Sequence, residues 1–380
     1  MYVSSWPGLT LRDFTSRSAE AMDLPYPLSA PDRNAFCVAR SGIYHLFRTL
    51  RLGSAEVVLA PDYYSGNEIA AIQAAGATVV HYPTLRNLEP DMVALRELVR
   101  RGARVIYVIH YLGWPQPIRE ISGLARDNGC LLFEDCALSL LSESGGVPLG
   151  AFGDYSAFCL YKTLPVPNGG LLVRNSANVP KLDGLAMEPC PWMNAFGRST
   201  ELAIEALRSR VEFVGSALAA IKRVAGRLLR RTSVRHVPVG DIGWNLGNVN
   251  VGMSRIGETV LAALDYRRIR QRRRENFLAL RERLMGRVQI LRDDLPEGVC
   301  PLFFPVLARH KREVVRRLWA RGIGAVDFWN DPQENPQIGK DARFLRAHVL
   351  ELPIHQDVTP EQVEYIADEV MKLRLEPALC

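Results

Sequence analysis

The sequence predicts an α/β fold: a large domain on a mostly parallel sheet flanked by helices, then a smaller C-terminal α+β domain. Between residues 57 and 134, short runs of β-branched and apolar residues alternate with helical patterns. That alternation marks βαβ units whose strands are buried on both faces. After about residue 250 it gives way to an irregular mixture of strand and helix patterns. The composition is globular, with 48% apolar and 23% charged residues in a chain of 380. This excludes disordered, collagen-like and low-complexity classes.

The elements follow in order. Residues 57–60 form a strand closed by Pro61-Asp62, and 66–75 a helix stopped by Gly76. Residues 79–82 are the next strand, 90–100 a helix, and 104–110 a strand. Residues 117–128 have helical spacing and stop at Gly129, before a strand over 130–134. Residues 157–161 and 171–173 are further strands, separated by the turn PVPNGG at 165–170. Apolar residues at 207, 211, 214, 218, 221, 225 and 228 make one helical stripe, so a core-packed helix is predicted over 207–231. No acid occurs between Glu212 and Asp241, which leaves the far side of that helix basic. A second long helix is predicted from Ser254 to Leu284, carrying the cluster RRIRQRRR at 267–274. Strands over 302–306 and 325–328 and helices over 311–320 and 360–373 complete the tail. The domains are placed at 1–249 and 250–380.

Three features point to chemistry. Glu134-Asp135 follows an apolar strand, and the carboxyl ends of parallel strands face the ligand crevice of an open α/β sheet. An aspartate there can also simply cap a helix. Lys162 ends the apolar run AFCLY. The chain has only six lysines (162, 181, 222, 311, 340 and 372), and among them Lys162 alone ends an apolar strand of the α/β half. It can be a snorkelling side chain, or an amine tuned for Schiff-base chemistry. Ser41-Gly42 opens a helical run, which offers either a plain N-cap or an anion seat. Together the three match pyridoxal 5'-phosphate (PLP): an amine for the aldehyde, a carboxylate for the ring nitrogen and a helix N-terminus for the phosphate.

The segments SGIYHLFRTL (41–50), VVLAPDYYSGNEIAAIQAAGATVVHYP (57–83), the EDCA block at 134–137, the lysine before Gly-Gly, and LELPIHQDVTPEQV (350–363) carry a resemblance. The chain resembles the fold-type-I PLP-dependent aminotransferases of the DegT/StrS kind, whose best-known members aminate keto-sugars on nucleotide carriers. The resemblance implies Lys162 as Schiff-base residue and proton shuttle, and Asp135 as partner of the pyridine nitrogen. It implies Ser41 and Gly42 as part of the phosphate cup. Cys159 stands near a serine position of the family, three residues before the lysine. Asn250 matches an asparagine that reaches the neighbouring subunit's phosphate, which implies a homodimer with composite active sites. The family's ring-stacking aromatic falls at Ser65 here, so Tyr63 or Tyr64 is the candidate to serve. Leu138, Ile43 and Gly252 also depart from the family pattern.

The expected activity moves an amino group from an amino-acid donor such as glutamate to a carbonyl acceptor, with pyridoxamine phosphate as the alternate cofactor form. A PLP-dependent elimination or dehydration, or a non-catalytic PLP-binding homologue, is the alternative. His110 reads as a hydrogen-bonded structural residue, and His355 is a candidate to approach the site from the C-terminal part. Seven cysteines are scattered singly, with no metal-ligand spacing, which suits reduced thiols in a cytoplasmic protein. No run reaches the roughly 20 apolar residues of a spanning helix, and the N-terminus does not resemble a signal peptide. The arginine clusters read as solvated helix faces or a charged subunit surface, so no nucleic-acid partner is expected. A basic amphipathic 207–231 helix offers contact with an anionic membrane as the alternative reading, but core packing explains the same stripe and no membrane contact is expected.

Overall fold

The computed structural model describes residues 1–15, 24–53, 56–229, 245–329 and 338–378, with backbone alone at 220 and 223–229. The chain opens with β1 (Arg33–Phe36), α1 (Ala39–Leu50), β2 (Val57–Pro61), α2 (Asn67–Ala74), β3 (Thr78–Tyr82) and α3 (Met92–Arg100). It continues with β4 (Ala103–Ile109), α4 (Ile118–Asp127), β5 (Leu131–Asp135), the small hairpin β6 (Glu143–Ser144) and β7 (Val147–Pro148), and β8 (Tyr155–Cys159). Then come the single turn α5 (Leu160–Thr163), β9 (Gly170–Arg174), and helices α6 (Trp192–Arg210), α7 (Glu212–Leu229), α8 (Arg255–Ala263) and α9 (Tyr266–Leu284). The tail holds β10 (Gln289–Ile290), β11 (Phe304–Leu307), α10 (Lys311–Ala320), α11 (Lys340–His348), β12 (Val349–Leu352) and α12 (Pro360–Lys372).

The large sheet has seven strands in the order β1-β9-β8-β5-β4-β2-β3. The pairs β8-β5, β5-β4, β4-β2 and β2-β3 are parallel, and β9 runs antiparallel to both its neighbours. The C-terminal part builds a second, antiparallel sheet, β10-β11-β12. One buried cluster joins the two, with Val58, Tyr107 and Phe133 on one side and Phe304, Leu350 and Ile366 on the other.

Three expectations change. The stripe that predicted one helix over 207–231 belongs to two, because Val211 leaves helical geometry between α6 and α7. The two helices meet closely at Gly215, where a Cβ would lie 2.3 Å from the Arg208 backbone. Residues 230–231 of that prediction lie outside the described residues. The predicted 254–284 helix is also two: the Asp265 carboxylate accepts the Arg268 N–H and starts α9 afresh. Residues 325–328 make only an isolated bridge, Val326 to Glu351, rather than a strand.

The first residues leave the large sheet altogether. Val3 pairs with Ile323, the Gln362 side chain donates to the Tyr2 carbonyl (3.1 Å), and Gly8 N–H donates to Asp357 (2.9 Å). α6 closes over this segment, with Tyr2 Oη donating to Glu205 (2.5 Å).

Candidate active site

A cleft opens where β5 and β8 end, lined among others by Asp135, Cys159 and Lys162. The register explains the meeting: Asp135 pairs with Ala157 across the parallel β5-β8 ladder, and α5 then turns Lys162 back over the strand ends. Neighbouring residues of β5 point to opposite faces, so Asp135 and Glu134 part company.

Asp135 is buried and held by two donors, Tyr107 Oη on Oδ2 (2.5 Å) and Ala137 N–H on Oδ1 (2.9 Å). The Tyr107 ring lies flat against Phe133, which aims its hydroxyl. Burial pushes the Asp135 carboxyl above the usual aspartate range, and Tyr107, Ala137, Lys162 and His110 partly offset that push. Such a carboxylate gains from a cationic partner in the cleft.

Glu134, on the opposite face, accepts from His110 Nε2 (2.9 Å), Gly150 N–H (2.9 Å), Phe152 N–H (2.8 Å) and Gly153 N–H (2.6 Å). Gln116 N–H donates to His110 Nδ1 (3.1 Å), so the proton sits on Nε2 and faces Glu134. Both ring nitrogens are thus engaged. Although His110, Glu134 and Cys136 lie close together, the pair pins the 150–153 loop to β4 and β5.

The α5 turn that carries Lys162 is held through its backbone. Leu160 N–H donates to Gly169 (2.9 Å), and the Thr163 carbonyl accepts from Arg273 Nη2 (3.0 Å) and Gln356 Nε2 (3.2 Å). Arg273 belongs to the cluster read as a solvated helix face. It is instead fully buried, donating also to Pro301 (3.4 Å), Leu302 (2.9 Å) and Gln356 Oε1 (3.1 Å). Arg273 lies on the buried stripe of α9 with Ile269, Asn276, Phe277 and Leu280, so this arginine of the cluster faces inward.

Ala39, Arg40 and Ile43 of the first turns of α1 line the cleft. Ser41 is buried beside them, with its N–H donating to Val38 (3.2 Å). Gly42 lets the helix rest directly on the sheet, since a Cβ there would lie 3.0 Å from Leu172 and from the Phe36 ring.

Neither tyrosine candidate lines the cleft. Tyr63 is fully buried among Tyr111, Phe328 and Trp329, and Tyr64 stacks on His81 with ring centroids 4.8 Å apart. The aromatics lining the cleft are Tyr161, next to Lys162, and Trp329, which arrives from the C-terminal part in a left-handed backbone conformation (φ 42°). Arg346 fixes it, donating to the Trp329 carbonyl (3.3 Å) and to the Tyr64 carbonyl (2.7 Å). Asn250 does not line the cleft. Its carbonyl accepts Glu188 N–H (2.7 Å), and its side chain hydrogen-bonds His45. His355 is also elsewhere, buried against the Ser4 carbonyl (3.0 Å).

Glu68 was not anticipated. It is buried in the cleft wall and accepts Ser65 N–H (2.7 Å) and the Ser65 hydroxyl. Burial, and then the neighbouring Asp135, push its carboxyl upward. The Ser-x-x-Glu spacing reads as an ordinary capping box, and that reading hides its second face toward the cleft.

Residues 35–200 match the DegT/DnrJ/EryC1/StrS aminotransferase family. The dTDP-4-dehydro-2,3,6-trideoxy-D-glucose 4-aminotransferase of Saccharopolyspora spinosa is 24% identical over 394 aligned positions, covering 98% of this chain and 91% of its own. Over that segment the chain is similar to DegT/StrS-like aminotransferases. Its fold type I architecture is shared by a Helicobacter pylori aminotransferase involved in the biosynthesis of pseudoaminic acid (TM-score 0.67, 18% identity, 98% of each chain). It is shared equally by a putative sugar aminotransferase of Streptococcus pneumoniae in its PLP form (TM-score 0.66, 16% identity, 98% of this chain and 99% of that one). That neighbour holds PLP. The cleft of this chain holds an amine, a carboxylate and a helix N-terminus, with Tyr161 and Trp329 as its aromatic wall.

Proposed function

We propose that this aminotransferase moves an amino group from an amino acid, glutamate first among candidates, to the carbonyl carbon of a nucleotide-linked keto-sugar. The observation that carries the reading is the convergence of Lys162 and Asp135 on one cleft at the strand ends. The sugar-nucleotide acceptor is supported by the Saccharopolyspora spinosa relative, which matches along nearly the whole chain.

The residues present fit the cofactor. A buried carboxylate that resists its own charge is suited to a protonated ring nitrogen. The N-terminal turn of α1, with Arg40 beside it, is suited to a phosphate. When bound, PLP supplies a carbonyl carbon that takes up the amino group and a ring that accepts electrons. Lys162 Nζ would hold the cofactor between turnovers and then carry the proton leaving the donor's α-carbon. Asp135 would keep its charge opposite the ring nitrogen, steadied by Tyr107 and Ala137. Trp329 and Leu138 would close the cleft against water. The active unit is proposed as a homodimer, with Asn250 of each chain serving the neighbour's cleft. A fully active monomer would exclude that arrangement.

The test is to load the purified protein with PLP and add single amino acids. Glutamate should convert the cofactor to pyridoxamine phosphate, and adding a dTDP- or GDP-linked 4-keto-sugar should restore PLP. Keto-acid release without pyridoxamine phosphate would replace transamination by elimination. Failure of every keto-sugar after a successful first half would leave the aminotransferase and remove the acceptor.

A further inference from the structure

Two cysteines far apart in the chain meet where three extended segments run together. Cys37 follows β1 and stands two residues before α1. Its N–H donates to the Val251 carbonyl (2.8 Å), and its carbonyl accepts Gly169 N–H (2.9 Å). Glu188 bridges to the opposite edge of Val251, donating its N–H to the Asn250 carbonyl (2.7 Å) and accepting Gly252 N–H (2.9 Å). Cys190 lies two positions further on, and its side chain is hydrogen-bonded to that of Cys37. Asn168 Nδ2 also donates to Cys190 Sγ (3.2 Å). The orientation of that amide is fixed, because its Oδ1 accepts Ser254 N–H (3.0 Å).

The two sulfurs are unlike. Cys37 is 1% exposed, whereas Cys190 is the one cysteine among the described residues that is not buried. Cys190 Sγ receives two donors, Cys37 S–H and the Asn168 amide, which hold its thiol below the usual cysteine range against the opposing effect of burial. The same thiol–thiol bond, and then burial, push Cys37 up, with the Arg40 charge opposing in part. An accessible sulfur that favours its thiolate, with a second thiol in contact, is the arrangement that oxidants convert to a disulfide. Cys190 also stands at the root of a lightly seated part of the molecule. α6 begins two residues later, and of its 19 residues only Ala195 and Leu202 are buried. α7 packs on α6 at Gly215 but leaves Phe213 86% and Ile221 65% exposed, so the stripe expected to pack in the core is open to solvent at these positions.

We propose that Cys37 and Cys190 form a peroxide-sensitive dithiol whose disulfide fastens the root of α6 to the strand end that leads into α1. The Cys190 thiolate attacks one oxygen of hydrogen peroxide, the O–O bond breaks, hydroxide leaves and a sulfenic acid remains. The Cys37 sulfur then attacks the Cys190 sulfur, the S–O bond breaks, and the Cys37 proton departs with that oxygen as water. Two thiols are thereby oxidised to one disulfide, and one peroxide is reduced to two waters. The proposal is independent of the reaction catalysed in the cleft. The test treats the full-length, PLP-loaded protein with hydrogen peroxide, unfolds it in N-ethylmaleimide to block the remaining thiols, and maps the peptides by mass. One linked pair, Cys37 to Cys190, should form and revert with dithiothreitol. Hydrogen exchange over the first turns of α6 should slow about threefold or more in the linked protein. Cys37→Ser should stop the reaction at a sulfenic acid on Cys190 that dimedone captures, and Cys190→Ser should leave Cys37 unoxidised. A link between other cysteines, or a disulfide joining two chains through Cys190, overturns the proposal. So does peroxide that oxidises glutathione in the same tube yet leaves both thiols intact, and so does α6 exchange that is the same in the linked and reduced protein.

Discussion

Asp135 and Lys162 define what a single residue does in this cleft. Asp135→Asn keeps the shape but removes the charge that a protonated ring nitrogen needs. The cofactor should stay bound, and turnover should fall by about a hundredfold or more. Turnover near that of the unmodified enzyme would end the assignment. For Lys162 the measurement is chemical. Borohydride reduction of the PLP-loaded protein should fix the cofactor on the one peptide that contains Lys162, with Lys181, Lys222, Lys311, Lys340 and Lys372 unlabelled. Lys162→Ala should abolish labelling and turnover yet still fold, because the residue lines an open cleft and its loss leaves no closed apolar cavity. A label on any other lysine would move the site. Glu68 sets a further condition at this scale: two buried carboxylates face one cleft, so each raises the cost of charging the other.

At the scale of elements, the site depends on a buried guanidinium in α9. Arg273 donates to three backbone carbonyls and to Gln356, and one of those carbonyls, Thr163, follows the lysine directly. Burial lowers its pKa to about 10, so it remains a cation at neutral pH. Arg273→Met would relieve the buried charge but orphan those carbonyls. With each lost bond worth about 1 kcal/mol, and the relieved desolvation offsetting part of the sum, a net loss of about 2 kcal/mol is expected. PLP affinity should fall too as α5 loosens. Urea unfolding and cofactor titration measure the two. Arg273→Lys keeps the charge but loses the planar fork, so it should not restore either. Unchanged stability and affinity in the methionine variant would show that α5 is held by the sheet alone. Much of this level is readable from sequence: β2, β3, β4 and β5 follow from continuous apolar runs, and Asp135 from its place at a strand end. Lys162, expected to end a strand over 157–161, instead lies in α5 beyond the end of β8 at Cys159. The breaks at Val211 and Asp265 are not, because the apolar spacing runs through both without interruption. Trp329 is illegible for another reason: its place in the cleft depends on how the C-terminal part packs, whereas Tyr63 and Tyr64 are merely near in the chain.

At the scale of the whole molecule, the first ten residues close a circuit between the chain ends, and His355 sits inside it. Its Nε2 faces the Ser4 carbonyl (3.0 Å) and the Ser4 hydroxyl (3.3 Å), beside Gly8 on Asp357 and Tyr2 on Gln362. Burial pushes its pKa from 6.5 down to about 3, with the nearby Arg273 charge adding to the push. Between those two values the unfolded chain binds a proton at His355 that the folded chain refuses. The contribution of His355 to stability therefore falls as pH drops from 6.5 toward 3, by at most about 1.4 kcal/mol per pH unit. Above 6.5 both states are neutral and the effect vanishes. His355→Gln keeps hydrogen-bonding capacity without a titrating ring. The variant should lose some stability at neutral pH yet show a flatter decline on acidification, so the two urea midpoints should converge as pH falls. Hydrogen exchange should show where this occurs, with residues 1–10 of the unmodified protein opening first while the amides of β4 and β5 stay protected. Parallel acid profiles for the two proteins would place the acid sensitivity in some other group, and early opening of the large sheet would deny the chain ends their separate role.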